Sequence, residues 1–334
     1  MMKINNAQWL ALLAILLAAL ACSLPSVIEP TPKLVPSPIL PPTKPPIPTN
    51  TPLPLLPTST VIPSPTIELP TATIEVKHSL IPASNVETGK LHFDVTSVDT
   101  ASENRAPYGD SYDISLFERP FTQEMQYIPD IDIGSYNLSF DDKFYFVSIE
   151  LIGSNPNNEI GIQYVVELDI NADGFGDFVI VANPPHSVEW TTDNVRVYQD
   201  TDRDTGGLSA EKSDAPLPGN GYDNLIFDSG RGESDDPDLA WVRTNAGKFA
   251  TVQFAFKVSW AGPRFLYGVM ADGSQLKDIA EMDYVDRLTK EKAGSPVRGD
   301  KDYPLKELFQ IDNTCWETHG MTGTGEEPKL CPRD

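Results

Sequence analysis

From Leu91 onward, apolar and polar residues alternate with a period of two in stretch after stretch. In "ATVQFAFKV", Val252, Phe254, Phe256 and Val258 point one way, while Thr251, Gln253, Ala255 and Lys257 point the other. "IQYVVEL" puts Ile162, Tyr164, Val166 and Leu168 on one face, and "KFYFVSIEL" does the same for Tyr145, Val147, Ile149 and Leu151. Successive side chains of a strand project to opposite sides of a sheet, so this alternation predicts half-buried strands. "LHFDVTSV", "DFVIVA", "NVRVYQ", "NLIFD", "LAWVR" and "RFLYGVM" are further strand candidates, separated by clusters of Gly, Asn, Asp and Pro. About nine short strands with no helical period between them predict an all-β protein, an antiparallel β-sandwich. Helix is scarce. "TKEKAG" reads as one capped turn from Thr289 to Gly294, and "PLKELFQ" opens on Pro304 in the manner of a helix start. Both lie in a C-terminal segment, 289–334, that is expected to wrap a sandwich spanning 85–288.

The apolar pattern is different at the N-terminus. Lys3 precedes "WLALLAILLAALA", a thirteen-residue apolar run ending at Ala21. A spanning helix needs roughly 20 such residues. The shorter run fits a cleaved secretory signal over residues 1–21. "ALAC", from Ala19 to Cys22, resembles the bacterial lipobox, whose Cys takes a diacylglyceryl group after cleavage. Ordinary signal peptidase would cut the same bond and leave a free Cys22. The three cysteines, Cys22, Cys315 and Cys331, favour the first reading. An exported chain with an odd count has one cysteine to account for separately. Lipid on Cys22 lets Cys315 and Cys331 pair, and it holds the protein to a membrane with its domain facing the exterior.

Residues 22–84 read as a stalk. From Ser23 to Ser84 the chain holds 17 of its 31 prolines, with no aromatic residue, no Gly and no Asp. Such a segment cannot bury a core and favours extended polyproline II. At ~3.1 Å per residue it reaches at most roughly 190 Å, enough to carry a domain away from a membrane. Lys33, Lys44 and Lys77 offset Glu29, Glu68 and Glu75 there, so the formal net charge of −23 belongs almost wholly to the folded part. That charge repels nucleic acid and anionic lipid and attracts cations. Nucleic acid is not an expected partner.

Two acidic loops follow predicted strands. "LDINADGFGDF" places Asp169, Asn171, Asp173 and Gly174 in the spacing that opens an EF-hand calcium loop. Alternation lets successive oxygens converge on a hard cation as the backbone curls. Phe175 would add its carbonyl, and Asp177 a further carboxylate. The twelfth position holds Ile180 instead of a bidentate Glu, and the flanks read as strands. The loop is therefore not an EF-hand, and it looks like the calcium loops that join strands in extracellular β proteins. The alternative is a metal-free turn, since Asp, Asn and Gly all favour turns. "QDTDRDTGG" repeats the alternation at Asp200, Asp202 and Asp204, with Thr205 in the place of the glycine. If the three flanking strands form a meander, both loops emerge at one end and can share ions. A third run, "DSGRGESDDPD", reads as a charged surface loop.

Other chemistry is thin. His78, His92, His186 and His319 have no zinc spacing, no phosphate loop precedes a helix, and no G-x-S-x-G elbow occurs. Abundant carboxylates do not by themselves indicate a glycosidase pair. Trp190, in "HSVEWTTD", is the best candidate for stacking on a pyranose ring, although core or rim packing is the commoner role. "DDKFYFVSIELIG", "ATVQFAFKVSWAG" and "FLYGVMADG" together resemble the strand series of DOMON-like sandwiches and family-nine carbohydrate-binding modules, over roughly Lys90 to Gly273. The resemblance implies an exterior β-sandwich that binds sugar or a cofactor. The expectation is a lipid-anchored binding module, not an enzyme, with structural calcium and an extracellular glycan as ligand. Its rivals are a structural or adhesive surface protein and a polysaccharide hydrolase.

Overall fold

The computed structural model describes residues 76–108, 117–206, 220–228, 236–245, 247–273, 289–324, 327 and 330–332. Residues 1–75, which include the stretch read as a signal, Cys22 and most of the stretch read as a stalk, lie outside them. Two antiparallel sheets face each other as a sandwich. The first has the order β1 (Lys90–Phe93), β2 (Ile133–Phe140), β3 (Phe144–Leu151), β9 (Thr251–Lys257), β8 (Ala240–Asn245). The second runs β11 (Ile311–Asn313), β10 (Phe265–Asp272), β4 (Gln163–Asp169), β5 (Phe178–Ala182), β6 (Val195–Gln199), β7 (Asn224–Asp228). β12 (Glu317–His319) pairs with β10 beside Phe265–Tyr267, while β11 pairs with Met270–Asp272.

The period-two faces form the core. Tyr145, Val147, Ile149 and Leu151 from β3 meet Ile162, Tyr164, Val166 and Leu168 from β4, with Val252, Phe254 and Phe256 from β9. All of these but Tyr145, at 3%, are 0% exposed, and burying each Val, Leu, Ile or Phe side chain stabilises the fold by ~1.5–3 kcal/mol. The opposite face of β3 is apolar as well. Phe144 and Phe146 pack with Trp241 and Ala255 on the outer side of the first sheet, under Leu80, Val86 and Trp190.

Three strands are absent from the period-two reading. β2 is the long one, and the register slips between Ile133 and Ser135, so its apolar residues lose strict alternation. β11 and β12 have three residues each, too few to show a period. The Thr289 turn is present: its side chain accepts from Lys292 N, and Gly294 ends it at φ 81°. The helix expected from Pro304 is not formed. Leu305 instead bridges to Gly294, and the Tyr303–Pro304 bond is cis. A one-turn helix, Val258–Ala261, stands where the alternation had been continued to Val258. Among the described residues, no helix is long and apolar enough to cross a membrane.

The C-terminal segment closes one flank of the sandwich. Cys315 and Cys331 are disulfide-bonded, and Trp316 between them is buried and bridges to Leu330. At the other margin, residues 78–86, stalk-like in composition, lie against the first sheet. Asp238 of the third acidic run is fully buried and holds them, although that run reads as a surface loop.

Candidate metal centre at one end of the second sheet

β4, β5 and β6 pair antiparallel in sequence order, so the loops after β4 and β6 leave the sheet at the same end. They fold alike. Asp169 Oδ1 accepts from the backbone N–H of Asn171 (3.2 Å) and Ala172 (2.5 Å), and Oδ2 from Gly174 (2.8 Å). Asp200 repeats this with Asp202 (3.1 Å), Arg203 (2.7 Å) and Thr205 (2.9 Å). The fourth residue of each loop is left-handed, Ala172 at φ 62° and Arg203 at φ 61°. A carboxylate that gathers successive amides curls the backbone, which turns the later side chains inward.

The loops are joined. Phe175 bridges to Gly206, Gly176 N donates to Thr205 O (2.9 Å), and Asp200 N donates to Asp177 O (3.1 Å). Arg203 Nη2 lies 2.6 Å from Asp173 Oδ2, with its guanidinium 4.9 Å above the Phe175 ring. Asp204 accepts from Asn220 N (2.5 Å) and Gly221 N (3.0 Å), and Asp223 accepts from Thr201 N (3.0 Å) and Oγ1 (2.7 Å). The Tyr222 hydroxyl donates to Glu167 on β4 (2.6 Å).

The carboxylates of the two loops are arranged differently. Asp200, Asp202 and Asp204 offer oxygens that all lie within 4.8 Å of one another. Calcium is ligated at ~2.3–2.6 Å, so oxygens across one ion are up to about 5 Å apart, and this group fits. The donors are hard oxygens with no nitrogen or sulfur, which suits calcium or magnesium and not zinc or copper. Asp200 and Asp204 are buried and Asp202 is exposed, so the group opens to solvent. Asp169, Asp173 and Asp177 form no such group among the described residues. Asp173 faces Arg203, and Asp177 accepts from Ile170 N (2.7 Å) and the Asn171 amide (3.1 Å). Phe175 is held in the bridge to Gly206. In the first loop, then, a protein cation stands beside the acids.

Negative charge is disfavoured across this end of the sheet. Burial pushes Asp169 up to about 6, with Asp177 and Asp173 adding to the rise and the Gly174 and Ala172 amides opposing it. Burial also raises Asp177, Asp202 and Asp204, and neighbouring aspartates contribute in each case. A bound cation would reverse that preference.

A second acidic group was not read from the sequence. Asp94, Glu118 and Asp312 also bring oxygens within 4.8 Å, and Glu118 and Asp312 are fully buried. Ser97 ties Glu118 (2.6 Å) to Asp132 (3.0 Å), Tyr127 donates to Asp132, and Asp312 accepts from Ile133 N (2.7 Å). Burial first, then these carboxylates, raises the Tyr127 hydroxyl far above its ordinary range. The residues come from four separate stretches, so no local spacing could announce them.

Trp190 is half-buried. Its indole N–H donates to Ala83 O (3.0 Å), its ring lies 4.5 Å from the Arg243 guanidinium, and Phe146 packs beside it. The side chain is used in packing residues 78–86 onto the sheet. Compared with known proteins, the chain matches no family model, no curated protein and no solved structure.

Proposed function

We propose that this protein is a cell-surface lipoprotein, anchored through Cys22, that displays a calcium-stabilised β-sandwich for binding and not for catalysis. Extracellular carbohydrate is the ligand class favoured by the DOMON-like and family-nine resemblance, an argument from fold alone. The observation that carries the calcium reading is the convergence of Asp200, Asp202 and Asp204. Asp169 and its loop act in this reading as the buttress of the ion site, held to it through the Phe175–Gly206 bridge and the Gly176–Thr205 hydrogen bond. Calcium neutralises carboxylates that burial has made costly, and so couples ion binding to folding in an ion-rich exterior.

Thermal melting of residues 22–334 with calcium and with chelator tests this. At about 100 times Kd, a ligand of the folded state adds ~2.7 kcal/mol, which raises Tm by about 5–10 °C for a domain of this size. Asp202→Asn should remove most of the rise, and no rise in the wild type ends the metal reading. A glycan panel in the same assay addresses the ligand: a sugar that raises Tm further supports a binding module. The engagement of Trp190 in packing favours the second reading, a structural or adhesive surface protein, and a panel with no hit would support it.

A further inference from the structure

The twelve residues from His78 to Gly89 cross the outer face of the first sheet without joining it. None of them is in a strand. At one side of the sheet, the fully buried Asp238 gathers them: it accepts from His78 Nδ1 (2.8 Å), Ser79 N (3.0 Å), Ser79 Oγ (2.8 Å) and Leu80 N (2.9 Å). Further along, Ala83 O accepts from Trp190 and Ser84 O accepts from Arg243 (2.8 Å). At the far side Gly89 N donates to Asn137 on β2 (3.0 Å), and the chain enters β1.

This contact is shallow. Of the twelve, only Pro82 is buried, while Leu80 and Val86 are half-buried and Ile81 is 65% exposed. What they cover is large and aromatic, Phe146 and Trp241, each 3% exposed. A segment with few buried apolar contacts and no ladder opens at lower free energy than the strands below it. Its resistance is concentrated at one carboxylate, next to the point where the stalk enters.

We infer that residues 78–89 are a releasable strap, latched by Asp238, through which tension on the stalk uncovers the Phe146–Trp241 face before the sandwich unfolds. The inference rests on the anchored-stalk reading only for the source of the tension. Release itself depends on the strap alone and is measured without a membrane.

The test is a force-extension experiment on residues 22–334, with one handle on the Cys22 thiol and the other at the C-terminus. Twelve residues drawn out at up to ~3.4 Å each reach ~40 Å, and the gain is that length less the span they already cross on the sheet. A reversible early extension of that order, at lower force than domain unfolding, is the expected result. Asp238→Ala should lower the force of the early step at least two-fold and leave the later unfolding event in place. Moving the first handle to a cysteine at position 90 (Lys90→Cys, with Cys22→Ser) should abolish the early step, and this holds even if the Asp238 variant fails to fold. A single unfolding event in the wild type, or an early step that persists with the handle at 90, overturns the inference.

Discussion

His186 shows how one side chain can set a pH limit. Its imidazole is buried against Tyr164, and Nε2 lies 2.8 Å from Ile162 O, so that nitrogen carries the proton. Its backbone is clamped by Asn157, which accepts from His186 N (2.6 Å) and donates to His186 O (2.8 Å). Nδ1 is buried and has no hydrogen-bond partner, so a second proton there would add an unsolvated charge. Burial accordingly lowers the His186 pKa. Below pH ~6.5 the unfolded chain takes up a proton that the folded chain refuses. Stability should fall as pH drops from there through the lowered folded value, by at most about 1.4 kcal/mol per pH unit, and the term should vanish above pH 7. His186→Gln keeps an N–H for Ile162 and cannot titrate. Urea unfolding at pH 8 and pH 5.5 should show a smaller acid loss in the variant, and equal losses would refute the assignment. Gly176 is a second sensitive position, because a Cβ there would lie 1.9 Å from the Tyr222 hydroxyl. Gly176→Ala must displace the Tyr222–Glu167 bond and should cost ~1–3 kcal/mol in the same assay, the usual range for overpacking.

At the scale of elements, Arg203 decides how the two acidic loops differ. Both curl around a first aspartate, yet only the second leaves three carboxylates facing one another, while in the first Asp173 is turned to Arg203. Arg203→Ala removes a positive charge next to both loops. Calcium should then bind several-fold tighter by titration calorimetry, with Asp173 free to contribute, and unchanged or weaker binding would contradict the role given to Arg203. Alternation of Asp and Asn made both loops legible in the sequence, and the meander placed them at one end. Their ranking was not legible, because it depends on where a left-handed arginine sends its side chain. The strands followed the same rule. β3, β4 and β9 each keep one unbroken apolar face at every second position and were found with that face named, even though β3 buries Phe144 and Phe146 on its other side, whereas the slip in β2 and the brevity of β11 and β12 erase the period. Asp94, Glu118 and Asp312 converge only through tertiary folding, and Asp238 looks like surface charge until the strap that it holds is seen.

For the molecule as a whole, the C-terminal segment matters out of proportion to its length. β11 and β12 lie end to end along β10, completing the edge of the second sheet. From there Glu317 reaches His92 on β1 of the first sheet at 2.5 Å, and the Tyr136 hydroxyl sits 3.2 Å from both Cys315 O and Cys331 Sγ. One open flank of the sandwich is thus closed by contacts that span both sheets. Trp316 fills the space over Gly268, where an added Cβ would stand 2.4 Å from the indole ring. The Cys315–Cys331 bond, joining residues 16 apart, keeps this closure local in the unfolded chain as well. In the chain-entropy account a loop of that size contributes ~3 kcal/mol. Replacing both cysteines by serine should therefore lower Tm by about 6–12 °C. The loss should appear first as weakened amide protection in β12 and β1, while β4 to β6 hold until global unfolding. An unchanged Tm, or protection lost uniformly across both sheets, would show that the flank is closed by packing alone.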